Sequence, residues 1–527
     1  MVASIAHPGP AGTDDAQPDT GDDALFERAL RHAKNVIAWS RSDEVRGLAH
    51  EAREERLLTD ALEFARLCLQ GQLDLEAARE QSRNDVVDAD GVVRRTTETG
   101  QRHDRITIVG TVTTSRIAYR GWRRENLYPR DATLGWAGGH SYSAGVERRV
   151  AQAAATVPFA QAAAQVSAAG AIRLGKRQAE QLAIGAAIDF ERFYAARRPA
   201  PCPPDVGLLL TFDGSAFPVL PDALRPPTAK AAAARAKVRE QTGRPEDPAD
   251  LRRASKRTAQ LAAVADIPPA PRQPADILTC LFGPARGTRA SSSSPAPGPQ
   301  AHGRTLFASA ERPAADVIAA AFAEADRRDP DQSRPWFVLV DGNCHQIDTA
   351  LALAAARGKP VTILIDLIHV VQYLWKAADC FFYKGDPAAR AWVVEQTGKL
   401  LHGRHRDVRI GIRRRATRFD YGPTERAGAD ECARYLENKK DHLDYPAFLA
   451  AGWPIASGLI EGAARWMIKD RLEVTGARWS LTGAEAVLRL RALVGNGDFD
   501  DFAYHLRQQR HRDHHSRYQQ PVYNLAA

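Results

Sequence analysis

Apolar and polar positions follow two different periods along this chain, and each change of period marks a change of predicted structure. Residues 24–80 repeat apolar positions every three to four residues, which predicts amphipathic helices. One helix opens at Asp23 and a second spans about Asp43–Gln70. Residues 105–119 instead place β-branched residues on both sides of Gly110, which is typical of a β-hairpin.

Helical periodicity returns after residue 143, and three successive helices are predicted at Gly145–Thr156, Pro158–Ala168 and Leu174–Tyr194. Two short helices followed by a third resemble a helix-turn-helix. In that arrangement the third helix would direct Lys176, Arg177 and Gln178 towards a DNA groove. An ordinary helical bundle has the same pattern, so both interpretations stay open.

Between residues 205 and 369, short apolar runs alternate with helical segments. Strands are predicted at residues 207–212, 261–267, 305–310, 337–340 and 361–365, and helices at 314–326 and 348–357. A basic, alanine-rich stretch, Ala229–Ala262, predicts one more helix within an insertion at 221–303. Alternation of this kind predicts a mixed α/β sheet covered by helices.

Helical periodicity without convincing strands continues through residues 370–455. This segment is interpreted as a helical insertion, after which residues 456–500 resume the core. Residues 286–303 are rich in serine and proline, which predicts a flexible excursion.

Charge is unevenly distributed along the chain. The 72 Lys and Arg residues outnumber the 64 Asp and Glu residues, so the net charge is +8. Basic residues concentrate at 235–257, at 404–418 and in the tail 501–527, whereas residues 1–23 are acidic and predicted to be disordered. A basic surface suits a polyanionic partner, although many solvated faces have the same composition.

Cysteine spacing and hydropathy exclude several classes of protein. The six cysteines are scattered with no Cys-x-x-Cys pair, so neither a zinc site nor a disulfide framework is predicted. No leader and no apolar stretch near the roughly 20 residues of a membrane helix are found. These features predict a cytoplasmic protein without a membrane partner.

Three acidic residues have the settings that a metal-dependent phosphoryl-transfer site requires. Asp213 and Asp341 each end an apolar run, and Glu461 lies within a predicted helix. Such carboxylates, converging at the end of a sheet, would hold two Mg²⁺ (or Mn²⁺) ions about 3.5–4 Å apart. Singly, each Asp-Gly pair is more typical of a turn, and Glu461 could pair with Arg465 on a helix surface.

Asp366 and His369 form a second group at the end of the last predicted strand. Asp366 is an alternative to Asp341 as the second ligand, and the spacing does not exclude it. His369 would orient a water or a phosphate, or position Asp366.

Further basic and aromatic residues follow Glu461. Arg465 and Lys469 continue along roughly the same helical face, where two cations would suit a phosphate backbone. Trp479 is interpreted either as a core residue, which is slightly favoured, or as a platform for an unpaired base. His511, His514 and His515 are interpreted as part of a solvated, DNA-touching tail rather than as a metal site.

Several motifs together resemble the ISKra group of bacterial insertion-sequence transposases. The most specific is Leu459-Ile-Glu461-Gly-Ala-Ala-Arg465, followed by Lys469-Asp-Arg471-Leu-Glu-Val-Thr-Gly-Ala-Arg478-Trp479. Asp366-x-x-His369…Tyr373-Leu-Trp375 also matches, as does Lys176-Arg177-Gln178 ahead of Asp189-Phe-Glu-Arg-Phe-Tyr194. The similarity covers most of residues 100–518.

The resemblance implies a ribonuclease-H-like catalytic core, related to that of Mutator-like transposases, with a helical insertion before the catalytic Glu. The implied metal-binding triad is Asp213, Asp341 and Glu461. In that fold the second Asp ends the fourth strand, and a helix and the fifth strand follow. Asp366 and His369 then match a supporting Asp/Cys-x-x-His element, which favours Asp341 as the ligand.

The implied activity is metal-dependent cleavage and strand transfer at the ends of an insertion sequence. Residues 24–200 would recognise terminal inverted repeats, and the enzyme would act on DNA near the bacterial nucleoid as a dimer or larger oligomer. The implied DNA contacts are Lys176, Arg177, Gln178, Arg465, Lys469, Arg471, Arg478 and Trp479. Alternatives are a nuclease of the same fold without strand transfer, a transposase-derived DNA-binding protein without catalysis, and a structural helical protein.

Overall fold

Eight strands and twenty-one α-helices are present in the computed structural model, which describes residues 20–136, 141–242, 255–283, 295–474 and 476–519. Disorder is predicted for residues 1–23. Residues 1–19 of that segment lie outside the described residues, and a helix begins at Thr20. Of the flexible excursion predicted at 286–303, residues 286–294 lie outside the described residues. Residues 243–254 of the predicted basic helix also lie outside them.

The elements of the N-terminal half are α1 (Thr20–Ser40), α2 (Asp43–Arg46), α3 (His50–Arg79), β1 (Thr96–Thr107), β2 (Gly110–Gly121), β3 (Arg124–Leu127), α4 (Pro129–Thr133), α5 (Ala144–Thr156), α6 (Phe159–Ala168), α7 (Lys176–Gly185), α8 (Phe190–Ala196), β4 (Gly207–Pro218), α9 (Pro226–Thr242) and β5 (Lys256–Ile267).

The remaining elements are α10 (Pro274–Phe282), β6 (His302–Ser309), α11 (Ala314–Arg328), β7 (Trp336–Val340), α12 (Cys344–Arg357), β8 (Val361–Ile365), α13 (Leu367–Phe381), α14 (Pro387–Leu401), α15 (His405–Arg418), α16 (Ala427–Asn438), α17 (Tyr445–Ala451), α18 (Gly458–Ala464), a π-helical turn (Arg465–Lys469), α19 (Asp470–Leu472), α20 (Leu481–Asn496) and α21 (Phe499–His515). No described helix has the length and apolar character needed to cross a bilayer.

The chain divides into two compact units. The first comprises Met1–Ala153, Phe159–Leu182 and Ala503–Ala527, and the second comprises Ala154–Pro158 and Ala183–Phe502. The predicted boundary near residue 200 does not coincide with this division, which falls within α7, after Leu182. The predicted helix Leu174–Tyr194 is two helices, α7 and α8. Asp189, between them, has a φ of 67° in the left-handed region, which interrupts helical hydrogen bonding.

The first unit packs α1 and α3 beside a three-stranded antiparallel sheet, β1-β2-β3. The predicted hairpin is confirmed, with Gly110 at a φ of 119° between its strands. The Gln70 side chain joins α3 to β2 through hydrogen bonds of 2.7 and 2.8 Å to the backbone of Thr113. His514, predicted to lie in a solvated tail, is instead buried on α21, and burial lowers its pKa to about 4.

The second unit contains a five-stranded mixed sheet in the order β6-β5-β4-β7-β8. β4, β5 and β6 are antiparallel neighbours, whereas β4, β7 and β8 are parallel. All five residues of β7 are buried, as expected of a central strand covered on both faces. The prediction of a mixed α/β core is therefore confirmed.

Two strand predictions required correction. Asp213 does not end its strand, because β4 pairs with β5 as far as Pro218. Residues 256–262, predicted as the end of a basic helix, form the first part of β5. Alanine favours helices in isolation, but pairing with two neighbouring strands overrides that preference here.

Five helices, α13–α17, separate β8 from α18, as the predicted insertion requires. The rings of Tyr373 on α13 and Tyr435 on α16 stack with centroids 4.0 Å apart. Gly428 on α16 lies against the backbone of Lys376, where an added Cβ would approach the carbonyl oxygen to 2.4 Å. These close contacts join α16 to α13, the first helix of the insertion, which directly follows the sheet.

Candidate functional site

Asp213, on β4, and Asp341, directly after β7, lie at the point where β7 ends beside β4. The parallel pairing of β4 with β7 aligns Thr211 with Leu339, and two further residues along each chain bring Asp213 opposite Asp341. Neighbouring strands are about 4.7–4.9 Å apart, so the two carboxylates enter one region of space. Both side chains are partly exposed, and the backbone N–H of Gly214 donates a hydrogen bond of 2.6 Å to Asp213.

Glu461 lies on α18, a short helix packed against β4 and β5. Ala463 and Ala464 are buried on this helix, and their small side chains permit its close approach to the sheet. The Glu461 side chain, in contrast, stays 49% exposed. α18 therefore presents a carboxylate to solvent beside the strand that carries Asp213.

The charges of these side chains influence one another. Burial raises the pKa of Asp213, the N–H of Gly214 opposes the shift, and the charge of Asp341 adds to the rise. Burial also raises the pKa of Glu461, with further increases from Asp366 and Asp213. The charge of Asp341 therefore acts on Asp213, and the charge of Asp213 acts on Glu461.

Lys469, like His369, opposes this repulsion, since it lowers the pKa of both Asp213 and Glu461. It ends a π-helical turn that begins at Arg465. Turns of this kind occur often at functional sites because the extra residue redirects the side chains that follow. Arg465 is 79% exposed and pairs with Asp470 at 3.8 Å, so only Lys469 has the expected relation to the carboxylates.

Asp366 is fully buried, and both of its carboxylate oxygens accept hydrogen bonds. One accepts the backbone N–H of Ile368 at 2.6 Å and so caps α13. The other accepts the backbone N–H of Ser457 at 2.6 Å, together with the Ser457 hydroxyl. Because Ser457 immediately precedes α18, Asp366 ties the end of the sheet to the helix of Glu461.

His369 follows one turn later on α13. Its Nε2 lies 4.0 Å from the Glu461 Oε1, and its side chain is 32% exposed. The imidazole therefore faces the Glu461 carboxylate, and it lowers the pKa of both Glu461 and Asp213. Of the two predicted roles, contact with the reacting groups suits this position better than positioning of Asp366.

Tyr435 supports the backbone next to Asp341, and nothing in the sequence signals this role. Its hydroxyl donates a hydrogen bond of 2.6 Å to the Asp341 carbonyl oxygen. Gly342 follows with a φ of +97°, and a Cβ there would lie 2.7 Å from the Tyr435 hydroxyl oxygen. The loop after β7 is thus held against the helical insertion.

Gly342→Ala is expected to lower the free energy of unfolding by roughly 1–3 kcal/mol, because it adds backbone strain and a clash with Tyr435. Gly385→Ala is the matched control: Gly385 has a φ of +86° but no neighbour within 4 Å of an added Cβ. Urea denaturation of both variants checks this. Equal losses in the two would show that contact with Tyr435 contributes nothing.

The predicted DNA contacts divide into exposed and buried residues. Lys176, Arg177, Gln178 and Arg478 are exposed, the first three in the first turn of α7. Two others, Arg471 and Trp479, are buried at 2% and 6% exposure.

The interpretation of Arg471 and Trp479 as DNA contacts is therefore corrected. The Arg471 guanidinium lies 4.7 Å over the Trp479 ring and donates to the Ala154 carbonyl oxygen. Burial lowers the pKa of Arg471 to about 10. The Trp479 indole N–H donates to the Leu472 carbonyl oxygen at 3.0 Å, so this ring belongs to the core.

Two other acidic residues of this region lie apart from the carboxylates. Asp348 lies inside α12, whose N-terminus is capped by Asn343 with a hydrogen bond of 3.0 Å from the His345 N–H. Glu473 pairs with Lys256 at 3.0 Å.

The donors at the site suit a hard divalent cation. Asp213, Asp341 and Glu461 supply carboxylate oxygens, which Mg²⁺ prefers, and Mg²⁺ usually needs only one or two carboxylates beside water and substrate phosphate. No group of three or more His, Cys, Asp or Glu residues has metal-binding geometry in the described part of the chain. The three carboxylates fit such an ion by the chemistry of their oxygens.

Comparison with known proteins adds no family assignment. The family models give no match to this chain, and neither do the curated proteins.

Proposed function

We propose that the protein is a DNA transposase that cleaves DNA at the ends of an insertion sequence and transfers the freed strands to target DNA. The observation that carries the proposal is the placement of three carboxylates: Asp213 on β4, Asp341 directly after the neighbouring strand β7, and Glu461 on α18, which packs against β4. These residues are far apart in the sequence, so their meeting depends on the fold.

The order of elements supports a ribonuclease-H-like core. Asp341 follows β7, the fourth strand of the five-stranded sheet in chain order, and α12 and then β8 come next. The motifs around Glu461 imply the same succession. The helical insertion α13–α17 likewise stands between the fifth strand and the helix that carries the third carboxylate.

Asp213, Asp341 and Glu461 would hold the metal ions. When bound, Mg²⁺ activates the attacking oxygen and stabilises the leaving oxygen of an in-line phosphoryl transfer. Lys469 contributes a fixed positive charge beside the carboxylates for a phosphate group. Asp366, through Ser457, holds α18 so that Glu461 keeps its place.

Exposed basic helices would bind the DNA backbone. None of the residues of α9 is buried, and the helix carries Lys230, Arg235, Lys237 and Arg239. On α15 the buried residues are apolar, and Arg413, Arg414 and Arg418 are exposed. Phosphate contacts of this kind make binding strongly salt-dependent.

A plasmid assay tests the proposal. Inverted repeats taken from the DNA that flanks the gene are placed on a donor plasmid and incubated with the protein, a target plasmid and Mg²⁺ or Mn²⁺. We expect cleavage at the repeat ends, joined donor–target products, and no products in EDTA. Cleavage without joining would indicate a nuclease, and binding to the repeats without cleavage would indicate a DNA-binding regulator.

A further inference from the structure

A cluster of aromatic side chains lies where α13, α14 and α15 meet in the helical insertion. The cluster comprises Phe381 at the end of α13, Trp392 on α14, and Phe382, Phe419 and Tyr421 in the segments that follow α13 and α15. Each ring contacts another member of the cluster, with ring centres 5.6–6.3 Å apart. The proposed carboxylate site uses none of these residues.

Three of the rings form a stack that runs from the core to the surface. The Phe381 and Tyr421 rings are 6.0 Å apart and inclined by 25°, and the Tyr421 and Phe419 rings are 6.0 Å apart and inclined by 28°. These values fall within the range of offset aromatic stacking. Phe381 is only 8% exposed, whereas Phe419 is 57% exposed. The outermost ring of the stack is therefore accessible from solvent.

Arg415 holds the rings of the cluster together. Its guanidinium lies 4.4, 4.9 and 5.8 Å from the ring centres of Phe382, Phe381 and Phe419. Cation–π attraction acts within about 6 Å of a ring centre. The stack and this guanidinium together restrict the rotation of Phe419 before any partner binds. A side chain that is ordered in advance loses less conformational entropy on binding.

Exposed cations lie next to the accessible ring. Arg418 directly precedes Phe419, and Arg414 lies one helical turn earlier on α15. Both are exposed, and neither pairs with a carboxylate in the part of the chain that the structure describes. Asp420, which follows Phe419, is also exposed and is an acidic neighbour that opposes the binding of an anion.

A second accessible ring follows the cluster in the loop between α13 and α14. Tyr383 is 90% exposed, and the neighbouring Lys384 is exposed as well. Packing accounts for the buried rings of the cluster, because burial of apolar area stabilises the fold. Packing does not account for a tyrosine that contacts solvent over nearly its whole side chain. Tyr383 and Phe419 are therefore available to a partner.

Accessible aromatic rings beside arginines suit unpaired nucleotides. A base stacks on a ring and its phosphate pairs with a guanidinium group, whereas the bases of a duplex are already stacked on one another. We propose that this end of the helical insertion binds a single strand of nucleic acid, with bases on Phe419 and Tyr383 and phosphates at Arg414 and Arg418. The proposal shares with the transposase function only a nucleic acid as partner. It requires neither the carboxylate triad nor a metal ion.

Fluorescence anisotropy of the full chain tests the proposal, with labelled oligonucleotides in EDTA so that no strand is cut. The sequence is unrelated to the flanking repeats and is used as a single strand and as a duplex. Other helices are proposed to bind duplex DNA, so the decisive comparison is between variants on each ligand. A deoxyribose strand is also compared with a ribose strand, and preferential weakening of either one by the ring variants would support the proposal and identify the source.

Phe419→Ala is expected to weaken single-strand binding at least about fivefold, as the loss of one stacked base predicts, and to leave duplex binding unchanged. Phe419→Tyr keeps the ring and should keep the affinity. Tyr383→Ala should weaken single-strand binding in the same way, and its exposed position makes loss of folding no explanation. If both ring-removing variants bind the single strand like the wild type, or weaken single strand and duplex equally, the proposal is wrong.

The charges around the ring supply an independent test. Arg418→Gln should weaken single-strand binding and reduce the slope of its dependence on salt by about 0.7. Arg404→Gln at the other end of α15 is the matched control, because Arg404 pairs with Asp407 at 2.8 Å. Asp420→Asn should strengthen binding by removing the opposing charge. Equal effects of Arg418→Gln and Arg404→Gln would overturn the placement of phosphate at this end of the helix.

The outcome is separable from that of the plasmid assay. Single-strand binding that depends on Phe419 and Tyr383, without any cleavage of donor plasmid, would support this proposal and contradict the transposase function. Cleavage and joining without any effect of the ring variants on single-strand binding would contradict this proposal alone, and the exposed rings would then fit a protein partner.

Discussion

Asp213→Asn is expected to reduce DNA cleavage at least about 1,000-fold while leaving the affinity for the repeat ends nearly unchanged. The substitution preserves the shape of the side chain but removes the charge that would hold a divalent cation. Several kcal/mol of transition-state stabilisation depend on such an ion, and each 1.36 kcal/mol corresponds to about tenfold in rate. Cleavage kinetics with Mg²⁺ and a binding assay without metal measure the two effects separately.

The stability of Asp213→Asn, unlike its cleavage activity, should not decrease. Burial and the Asp341 charge raise the pKa of Asp213 in the folded protein. The folded state then binds a proton on Asp213 more tightly than the unfolded state, so at neutral pH the ionised carboxylate costs folding free energy. A neutral asparagine removes that cost, and the melting temperature of Asp213→Asn should equal or exceed that of the wild type.

Asp222→Asn is the matched control for this test, since Asp222 is exposed in the 3₁₀ turn that follows β4. It removes the same charge a few residues along the chain and should leave cleavage unchanged. Retention of cleavage by Asp213→Asn would remove Asp213 from the proposed triad. A large loss of stability would indicate instead that the aspartate is structural.

Local patterns predicted the core well where local preference and tertiary pairing agree. The short apolar runs of β7 and β8 predict strands, and both are parallel strands of the sheet, with β7 buried throughout and β8 buried in its last three residues. β5 was recognised only in its second half, because its first residues belong to a basic, alanine-rich stretch. Its pairing with β4 and β6 is a long-range interaction that a local window does not contain.

The candidate site, like the core, is predictable from local patterns only in part. The sequence predicts Asp213 and Asp341 as site residues because each follows an apolar run. Their register across β4 and β7 is seen only in the sheet. Tyr435 contacts Asp341 across 94 residues of sequence. No period or motif predicts such a partner, so the residues that support the carboxylates emerge only from the fold.

Asp366 illustrates the difference between a motif and a role. The sequence allows it to be a metal ligand or a supporting residue, and the resemblance alone favours the second. In the structure its carboxylate reaches Ser457, 91 residues away, while it also caps α13. A carboxylate with both oxygens occupied in this way is poorly suited to bind an ion directly.

Asp366→Ala is therefore expected to lower the free energy of unfolding by roughly 2–5 kcal/mol, because it leaves the buried donors of Ile368 and Ser457 without their acceptor. Asp386→Ala is the matched control. Asp386 caps α14 through one hydrogen bond of 2.8 Å to Ala388 and joins no second segment in the described structure, so its loss should cost about 1 kcal/mol.

Cleavage should distinguish a positioning role from general destabilisation. Ser457→Ala removes only the hydroxyl donor to Asp366, keeps the backbone hydrogen bond, and should lose less stability than Asp366→Ala. If Asp366 positions α18, both variants should lose cleavage at temperatures where they remain folded, because Glu461 follows Ser457 by one helical turn. Asp386→Ala should keep full cleavage under the same conditions. Similar stability and activity in Asp366→Ala and Asp386→Ala would show that Asp366 acts only as a helix cap. Glu461 would then be held in place by the packing of α18 on the sheet alone.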